Sequence, residues 1–120
     1  MIDLREILAP DAVMAKTHFS AASDPEIMKR LGDLGRPQVV LAGIESHVCV
    51  LQTALDLKAR DFDPVVVMDA CASRGPDSEQ MAFGRLRQEG VPLVSVEMTV
   101  FEWLHQAGTP EFKDLSILIR

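Results

Sequence analysis

The sequence predicts an α/β domain built on an open parallel sheet that is flanked by helices. Short β-branched runs alternate along the chain with longer segments of helical periodicity. The β-branched runs are apolar almost throughout, which indicates strands that are covered on both faces, as in parallel sheets. Alternation of strand and helix favours right-handed crossovers. With 120 residues, 48% of them hydrophobic and 25% charged, residues 1–120 are expected to form a single domain.

The predicted strands are residues 38–44 (QVVLAGI), 64–69 (PVVVMD) and 92–96 (PLVSV). The first predicted helix begins at Asp24 and Pro25, a capping side chain followed by a first-turn proline, and Gly35 ends it. The remaining predicted helices are residues 48–60, 78–89, 98–106 and 110–119, and residues 2–8 also have a helical pattern. In such a sheet, ligands bind beyond the carboxyl ends of the strands. The segments at 45–47 and 70–74, together with Glu97, are therefore the loops in which a site is expected.

Cys49 is the sharpest local feature, because it follows the first long strand near the start of a predicted helix. Unpaired N–H groups and the positive end of the helix dipole favour a thiolate there, and the same N–H groups could bind an oxyanion. Position alone leaves the alternative of a buried core cysteine open. His47 does not form a dyad with Cys49, because helical residues two apart point roughly 200° apart. Cys71 is expected to be a small packed residue.

Composition excludes several classes of function. Lys and Arg total 12 against 18 Asp and Glu, and a net charge of −6 argues against nucleic-acid binding. His18 and His105 have no partners at ligand spacing, so no metal is expected. No glycine-rich fingerprint follows a strand, and no cofactor is expected.

Cysteine usage and hydropathy predict a cytoplasmic protein without membrane contact. Two cysteines do not make a disulfide scaffold, and we expect both to be reduced. No apolar run approaches the roughly 20 residues that span a bilayer. Asp3, Arg5 and Glu6 interrupt the first apolar stretch, so no signal peptide is expected.

Four segments, in order along the chain, resemble the motifs of the isochorismatase-like cysteine hydrolases. Residues 15–21 (AKTHFSA) look like the catalytic lysine segment of that family, and residues 43–54 (GIESHVCVLQTA) resemble its nucleophile motif. Residues 69–74 (DACASR) and 96–104 (VEMTVFEWL) resemble its next strand end and its late strand-to-helix junction. Four ordered motifs are far more specific than any one of them alone.

The resemblance implies a Rossmann-like three-layer α/β fold and a triad of aspartate, lysine and cysteine. Cys49 corresponds to the nucleophile and Lys16 to the lysine, which would stabilise the thiolate. The family also places a non-proline cis peptide just before the nucleophile, here at Ile44-Glu45, and an oxyanion hole from N–H groups near Glu45 and at Cys49. The implied reaction is hydrolysis of a small ester, amide, imide or vinyl ether through a covalent intermediate.

Three further residues, Phe19, Ser46 and His47, are expected to line the substrate pocket. The metal-using nicotinamidases of the superfamily carry an aspartate and histidine cluster before the lysine. Nothing in this sequence matches that cluster, so nicotinamidase activity and bound zinc are disfavoured.

The sequence departs from the family at its start. The family's aspartate ends an N-terminal strand well before the lysine, whereas only 15 residues precede Lys16 here, and they contain no strand pattern. Neither Asp3 nor Asp11 can be assigned to the triad. Without that strand, residues 38–44 would form an apolar sheet edge, which predicts a homo-oligomer or a chain that is part of a longer protein.

Two other functions remain open alongside hydrolysis. One is a catalytically weak or inactive remnant that acts as an oligomerisation module. The other is a thiol redox sensor that uses Cys49. The three hypotheses share one fold and differ in what the thiol does.

Overall fold

The computed structural model describes residues 4–119. Its strands are β1 (Gln38–Ile44), β2 (Asp63–Ala72) and β3 (Leu93–Val94). They pair in the order β1-β2-β3, and both pairings are parallel. The predicted open parallel sheet is therefore confirmed.

Helices follow or precede each strand, as the sequence predicts. They are α1 (Leu4–Ile7), α2 (Pro25–Asp33), α3 (Leu51–Lys58), α4 (Pro76–Gln88), α5 (Val96–Leu104) and α6 (Pro110–Leu118). Side-chain caps fix where three of them begin. Asp24 accepts hydrogen bonds from the N–H groups at the start of α2, and the hydroxyls of Ser95 and Thr109 do the same for α5 and α6.

Two of the loops expected to hold the site are regular structure instead. β2 continues to Ala72, so residues 70–72 belong to the strand. A bulge permits this, because Leu41 pairs with Val66 while Gly43 pairs with Cys71, and the surplus residues of β2 lie between these pairs. Glu97 lies in the first turn of α5 rather than in a loop, because Ser95 caps the helix just before it.

The core lies between the sheet and the helices α3 and α4. Val66 of β2 packs there with Leu51 and Ala54 of α3 and with Phe83 and Leu86 of α4. The next residue of β2, Val67, points to the opposite face and is only 5% exposed. Both faces of β2 are thus covered around Val66 and Val67, as the apolar run in this part of the strand predicts.

β1 is an edge strand with one open face. Among residues 4–119 no strand precedes Gln38, so β1 pairs with β2 alone. Leu41 packs against the core, whereas Val40 is 43% exposed and Ile44 is 74% exposed. The expected apolar edge is confirmed for the described chain.

None of the helices between residues 4 and 119 combines the length and the apolar character needed to cross a bilayer.

Candidate active site

Cys49 lies in the turn between β1 and α3. β1 ends at Ile44, and the peptide bond between Ile44 and Glu45 is cis. Residues Ser46–Val50 then form a π-helical turn, which leads directly into α3. The carbonyl of Glu45 accepts hydrogen bonds from Val48 N and Val50 N, both at 3.2 Å. The predicted helix therefore begins earlier and with a wider turn than the periodicity indicates, and Cys49 is half-buried within it.

A cavity of about 180 Å³ brings Cys49 and Lys16 together at the open side of β1. Its wall is formed by three parts of the chain: the segment before α2, β1 and the start of α3. The residues are Lys16, Ala21, Leu41, Ala42, Ile44, Cys49, Val50 and Thr53. Two residues from distant parts of the sequence thus share one small space, as the resemblance implies.

The segment that carries Lys16 is fixed by hydrogen bonds of its own. Lys16 Nζ donates to the carbonyls of His18 at 2.8 Å and Phe19 at 2.9 Å. Ala21 N donates to Thr53 Oγ1 at 2.9 Å, which ties the segment to α3. An ammonium has three N–H donors, so these two carbonyls use two of them and hold the charge beside the cavity.

Glu45 is clamped by Arg74, which follows β2. Oε1 of Glu45 accepts from both the backbone N and the Nε of Arg74 at 3.1 Å, and Oε2 accepts from Nη2 at 2.9 Å. The Glu45 side chain is 25% exposed and that of Arg74 is 79% exposed. Hydrogen bonds from Arg74 hold the pKa of the Glu45 carboxyl below its ordinary value. The ion pair links the residue before the π-helical turn to the segment between β2 and α4.

The residues expected to line the substrate pocket are not among those that line the Lys16–Cys49 cavity. Ser46 is fully buried, and its Oγ donates to Glu79 Oε2 at 3.5 Å. The Nδ1 of His47 lies 2.9 Å from Ser73 Oγ, and His47 borders a different cavity, of about 240 Å³, beside α4. Phe19 is 63% exposed, and its carbonyl accepts a hydrogen bond from Lys16. Within the described chain, none of these three is among the residues that line the Lys16–Cys49 cavity.

No described residue lining this cavity is a carboxylate. The side chain of Asp11 is 76% exposed and pairs with Arg30 at 3.1 Å, which anchors it to α2 instead. Asp3 lies outside the described residues. The structure thus places Asp11 outside the lining of the Lys16–Cys49 cavity.

Cys71 and the histidines have other surroundings. Cys71 is half-buried at the end of β2, packs against the core, and burial raises the pKa of its thiol. His105 is exposed at the end of α5 with a φ of 59°, and His18 is exposed beside Lys16. Between residues 4 and 119, no three His, Cys, Asp or Glu side chains come close enough to hold a metal ion.

Arg74, Ser73 and Thr53 are residues of the site to which the sequence assigns no individual contact. Arg74 and Ser73 lie within the DACASR segment and Thr53 within the nucleophile motif. Their partners, Glu45, His47 and Ala21, are all far away in sequence. No periodicity or spacing encodes such contacts, so only the fold reveals them.

Comparison with known proteins agrees with this architecture. Residues 2–98 match the family model of the isochorismatase domain. The secreted isochorismatase effector Isc1 of Phytophthora sojae is 45% identical over 116 residues, which is 93% of this chain and 54% of the effector. The structure of a MAR1 ribonuclease from Caenorhabditis elegans superposes with a TM-score of 0.77 at 38% identity, over 87% of this chain and 53% of the ribonuclease.

A more distant solved structure has the same fold. The YcaC protein of Escherichia coli, described as an octameric hydrolase of unknown specificity, gives a TM-score of 0.64 at 27% identity. The match covers 68% of this chain and 40% of YcaC. The chain spans about half the length of the curated relatives it matches. Because the family model extends over most of the sequence, the chain belongs to the isochorismatase family of hydrolases.

Proposed function

We propose that this chain hydrolyses small carbonyl compounds with Cys49 as the nucleophile and Lys16 as the charge that keeps its sulfur ionised. The observation that carries the proposal is the cavity of about 180 Å³ that both residues line. The two carbonyls of His18 and Phe19 hold the ammonium of Lys16 in the same segment. A cation beside a thiol favours the thiolate, which is the reactive form of cysteine.

The reaction would proceed in two steps. The sulfur of Cys49 attacks the acyl carbon, and N–H groups near Glu45 and at Cys49 face the oxyanion that develops. Collapse of this intermediate breaks the carbon–oxygen bond and releases the leaving group as its oxide. Water then attacks the thioester, its hydroxyl joins the acyl group as a carboxylic acid, and its proton goes to the released oxide. Cys49 is left as a thiolate.

The lining of the cavity indicates which substrates suit this chain best. No described carboxylate lies there to protonate a leaving group, and loss of a general acid typically costs about 10²–10⁴ in rate. Esters of acidic alcohols need no such help, because an aryl oxide leaves unprotonated. A volume of about 180 Å³ also lies below the roughly 300 Å³ at which ligand pockets usually begin. Small aryl esters are therefore the preferred class, ahead of amides.

RNA is a poorer substrate for this site. The relative from Caenorhabditis elegans is named a ribonuclease, but this chain has a net charge of −6. Binding of a polyanion depends on several free cationic side chains. Lys16 is the single cation among the described residues that line the cavity, and two carbonyls already engage it.

Self-association is the second part of the proposal. β1 has neither a charged residue nor a proline to protect its edge, and Val40 and Ile44 are exposed on it. YcaC is octameric, and we propose a homo-oligomer for this chain as well. This observation also favours the oligomerisation module as the alternative function. A cytoplasmic location stays a prediction, and the relative from Phytophthora sojae is named a secreted protein.

Hydrolysis of a small aryl ester by purified protein tests the proposal. We expect turnover by the wild type and by Cys71→Ala, and none above background with Cys49→Ala. Equal turnover by the wild type and Cys49→Ala would refute the role of Cys49 as the nucleophile. An RNA oligonucleotide serves as the second substrate, and cleavage that depends on Cys49 would refute the proposed substrate class.

A further inference from the structure

Glu45 forms hydrogen bonds with two parts of the chain, the π-helical turn that contains Cys49 and the segment that follows β2. Its carbonyl accepts hydrogen bonds from the N–H groups of Val48 and Val50, which flank Cys49. These bonds begin the π-helical turn. Its carboxylate is held by three hydrogen bonds from Arg74. The orientation of one residue is thereby fixed from the turn on one side and from the segment after β2 on the other.

Two further contacts join the same two parts of the chain. Ser73 Oγ accepts from His47 N at 3.4 Å and lies 2.9 Å from His47 Nδ1. The hydroxyl of Ser46 donates to Glu79 at 3.5 Å. Residues 45–47 are therefore attached to residues 73–79 at three successive positions. Of these three contacts, the one between Glu45 and Arg74 is an ion pair. Two side-chain N–H groups of Arg74 donate in it.

A role in stability explains this pair poorly. The Arg74 side chain is 79% exposed, and solvent-exposed ion pairs add little to the free energy of unfolding. Its geometry is nevertheless specific, since the guanidinium fork occupies both carboxylate oxygens and the backbone N of the same residue adds a third bond. A lysine could supply the charge but not the fork.

We infer that Arg74 is a positioning residue, which holds Glu45 and through it the turn that presents the sulfur of Cys49. The inference rests on the proposed function of Cys49 as the reactive thiol. It assigns Arg74 no contact with the substrate. Arg74 lies outside the lining of the cavity and holds Glu45, the residue at which the π-helical turn begins.

The rate at which iodoacetamide alkylates Cys49, followed by peptide mass spectrometry, tests the inference without a substrate. Cys71 in the same molecule is the reference thiol. Arg74→Gln is expected to slow the alkylation of Cys49 by about tenfold, since a turn that has lost its anchor no longer holds the sulfur beside Lys16, whose charge favours the reactive thiolate. The rate of Cys71 and the melting temperature should stay at wild-type values. Lys29→Gln removes an exposed ion pair between residues i and i+4 on α2 and is the matched control. It should not change the alkylation rate of either thiol.

Two more variants separate positioning from a change in charge. Arg74→Lys keeps the charge without the fork, so its Cys49 rate should fall between those of the wild type and Arg74→Gln. In Glu45→Gln and in the double variant with Arg74→Gln, the alkylation of Cys49 should be no slower than in Arg74→Gln alone. The effects of substituting residues that act as a unit do not add.

An unchanged Cys49 rate in folded Arg74→Gln would overturn the inference. So would a rise in the rates of both thiols with a lower melting temperature, which marks a purely structural role. Failure of the proposed function gives a different result. The wild type would then hydrolyse no aryl ester although Cys49 is still alkylated faster than in Arg74→Gln.

Discussion

Lys16 and Cys49 line the same cavity, although one lies in an irregular segment before α2 and the other in the π-helical turn after β1. The segment reaches the cavity because Ala21 N donates to Thr53 in α3. The turn lies at the cavity because it follows Ile44, the last residue of β1, which also lines the cavity. The juxtaposition is therefore a product of the fold and not of local sequence, and it leads to the following predictions.

Replacement of Lys16 by Met removes the ammonium and keeps most of the apolar stem. A nearby cation favours the thiolate, which is the reactive form of a cysteine, so alkylation of Cys49 at neutral pH should slow by about tenfold. Rates measured by peptide mass spectrometry test this. Lys29→Met changes an exposed lysine on α2 and is the control. Equal Cys49 rates in the two variants would show that Lys16 does not act on the sulfur.

Cys71 should be the slower of the two thiols. Burial raises the pKa of Cys71, so at a given pH less of it is ionised than of a free cysteine, whose pKa is about 8.5. Its alkylation rate should reach a plateau at a higher pH than that of a free cysteine derivative. A folded protein in which Cys71 reacts as fast as the free thiol near pH 8 would contradict the burial of its sulfur.

The Glu45–Arg74 pair should make the stability of the chain depend on pH in the acid range. Arg74 lowers the pKa of Glu45 in the folded state. Such a carboxylate stabilises the fold above its unfolded pKa of about 4.3, and the contribution is lost as the pH falls through the lower folded value. Because the Arg74 side chain is exposed, urea unfolding of wild type and Glu45→Gln should differ only slightly near neutral pH, and this small difference should vanish toward acid. A difference that grows on acidification would reverse the predicted sign.

The core predicted from the strand and helix patterns can be tested with two leucines of opposite environment. Leu86 in α4 is 0% exposed, whereas Leu118 in α6 is 77% exposed. Leu86→Ala should lower the free energy of unfolding by about 2–5 kcal/mol. Leu118→Ala should change it by less than about 0.5 kcal/mol. Similar losses in both variants, measured by urea unfolding, would place the core elsewhere.

The open edge of β1 should control self-association. Val40 is 43% exposed on this strand, and a lysine there protects an edge against pairing with another chain. Val40→Lys should therefore shift the mass measured by light scattering toward the monomer. Gln80→Lys adds the same charge to an exposed position on α4 and should not change the mass. Identical masses for the two variants would exclude the β1 edge from the interface.

The sequence predicts the regular elements well because their signals are local. Residues 38–44 form β1 with the predicted bounds, and α2 begins at the predicted cap, Asp24, and proline, Pro25. The predicted strand 92–96 is shorter in the structure, because Ser95 caps α5 instead of continuing β3. The bulge that extends β2 to Ala72 is not local, because it depends on how Gly43 and Cys71 meet across two strands. A prediction from one strand alone therefore ends β2 too early.

The candidate site is predictable only in part for the same reason. The resemblance indicates Cys49 and Lys16 as a pair, and the fold brings them to one cavity. Ser46 and His47 are neighbours of Cys49 in sequence, but successive residues of a helical turn point in different directions. They face Glu79 and Ser73 instead. Proximity to Cys49 in the sequence does not determine the direction in which these two side chains point.

Peptide mapping of the protein quenched during reaction with a small aryl ester is the most direct test of the thiol's role. The proposed mechanism predicts one acyl group on the peptide that contains Cys49 and none on that of Cys71. Cys49→Ala should give no adduct. An acyl group found on Cys71, or hydrolysis that proceeds without any adduct and survives Cys49→Ala, would contradict the account.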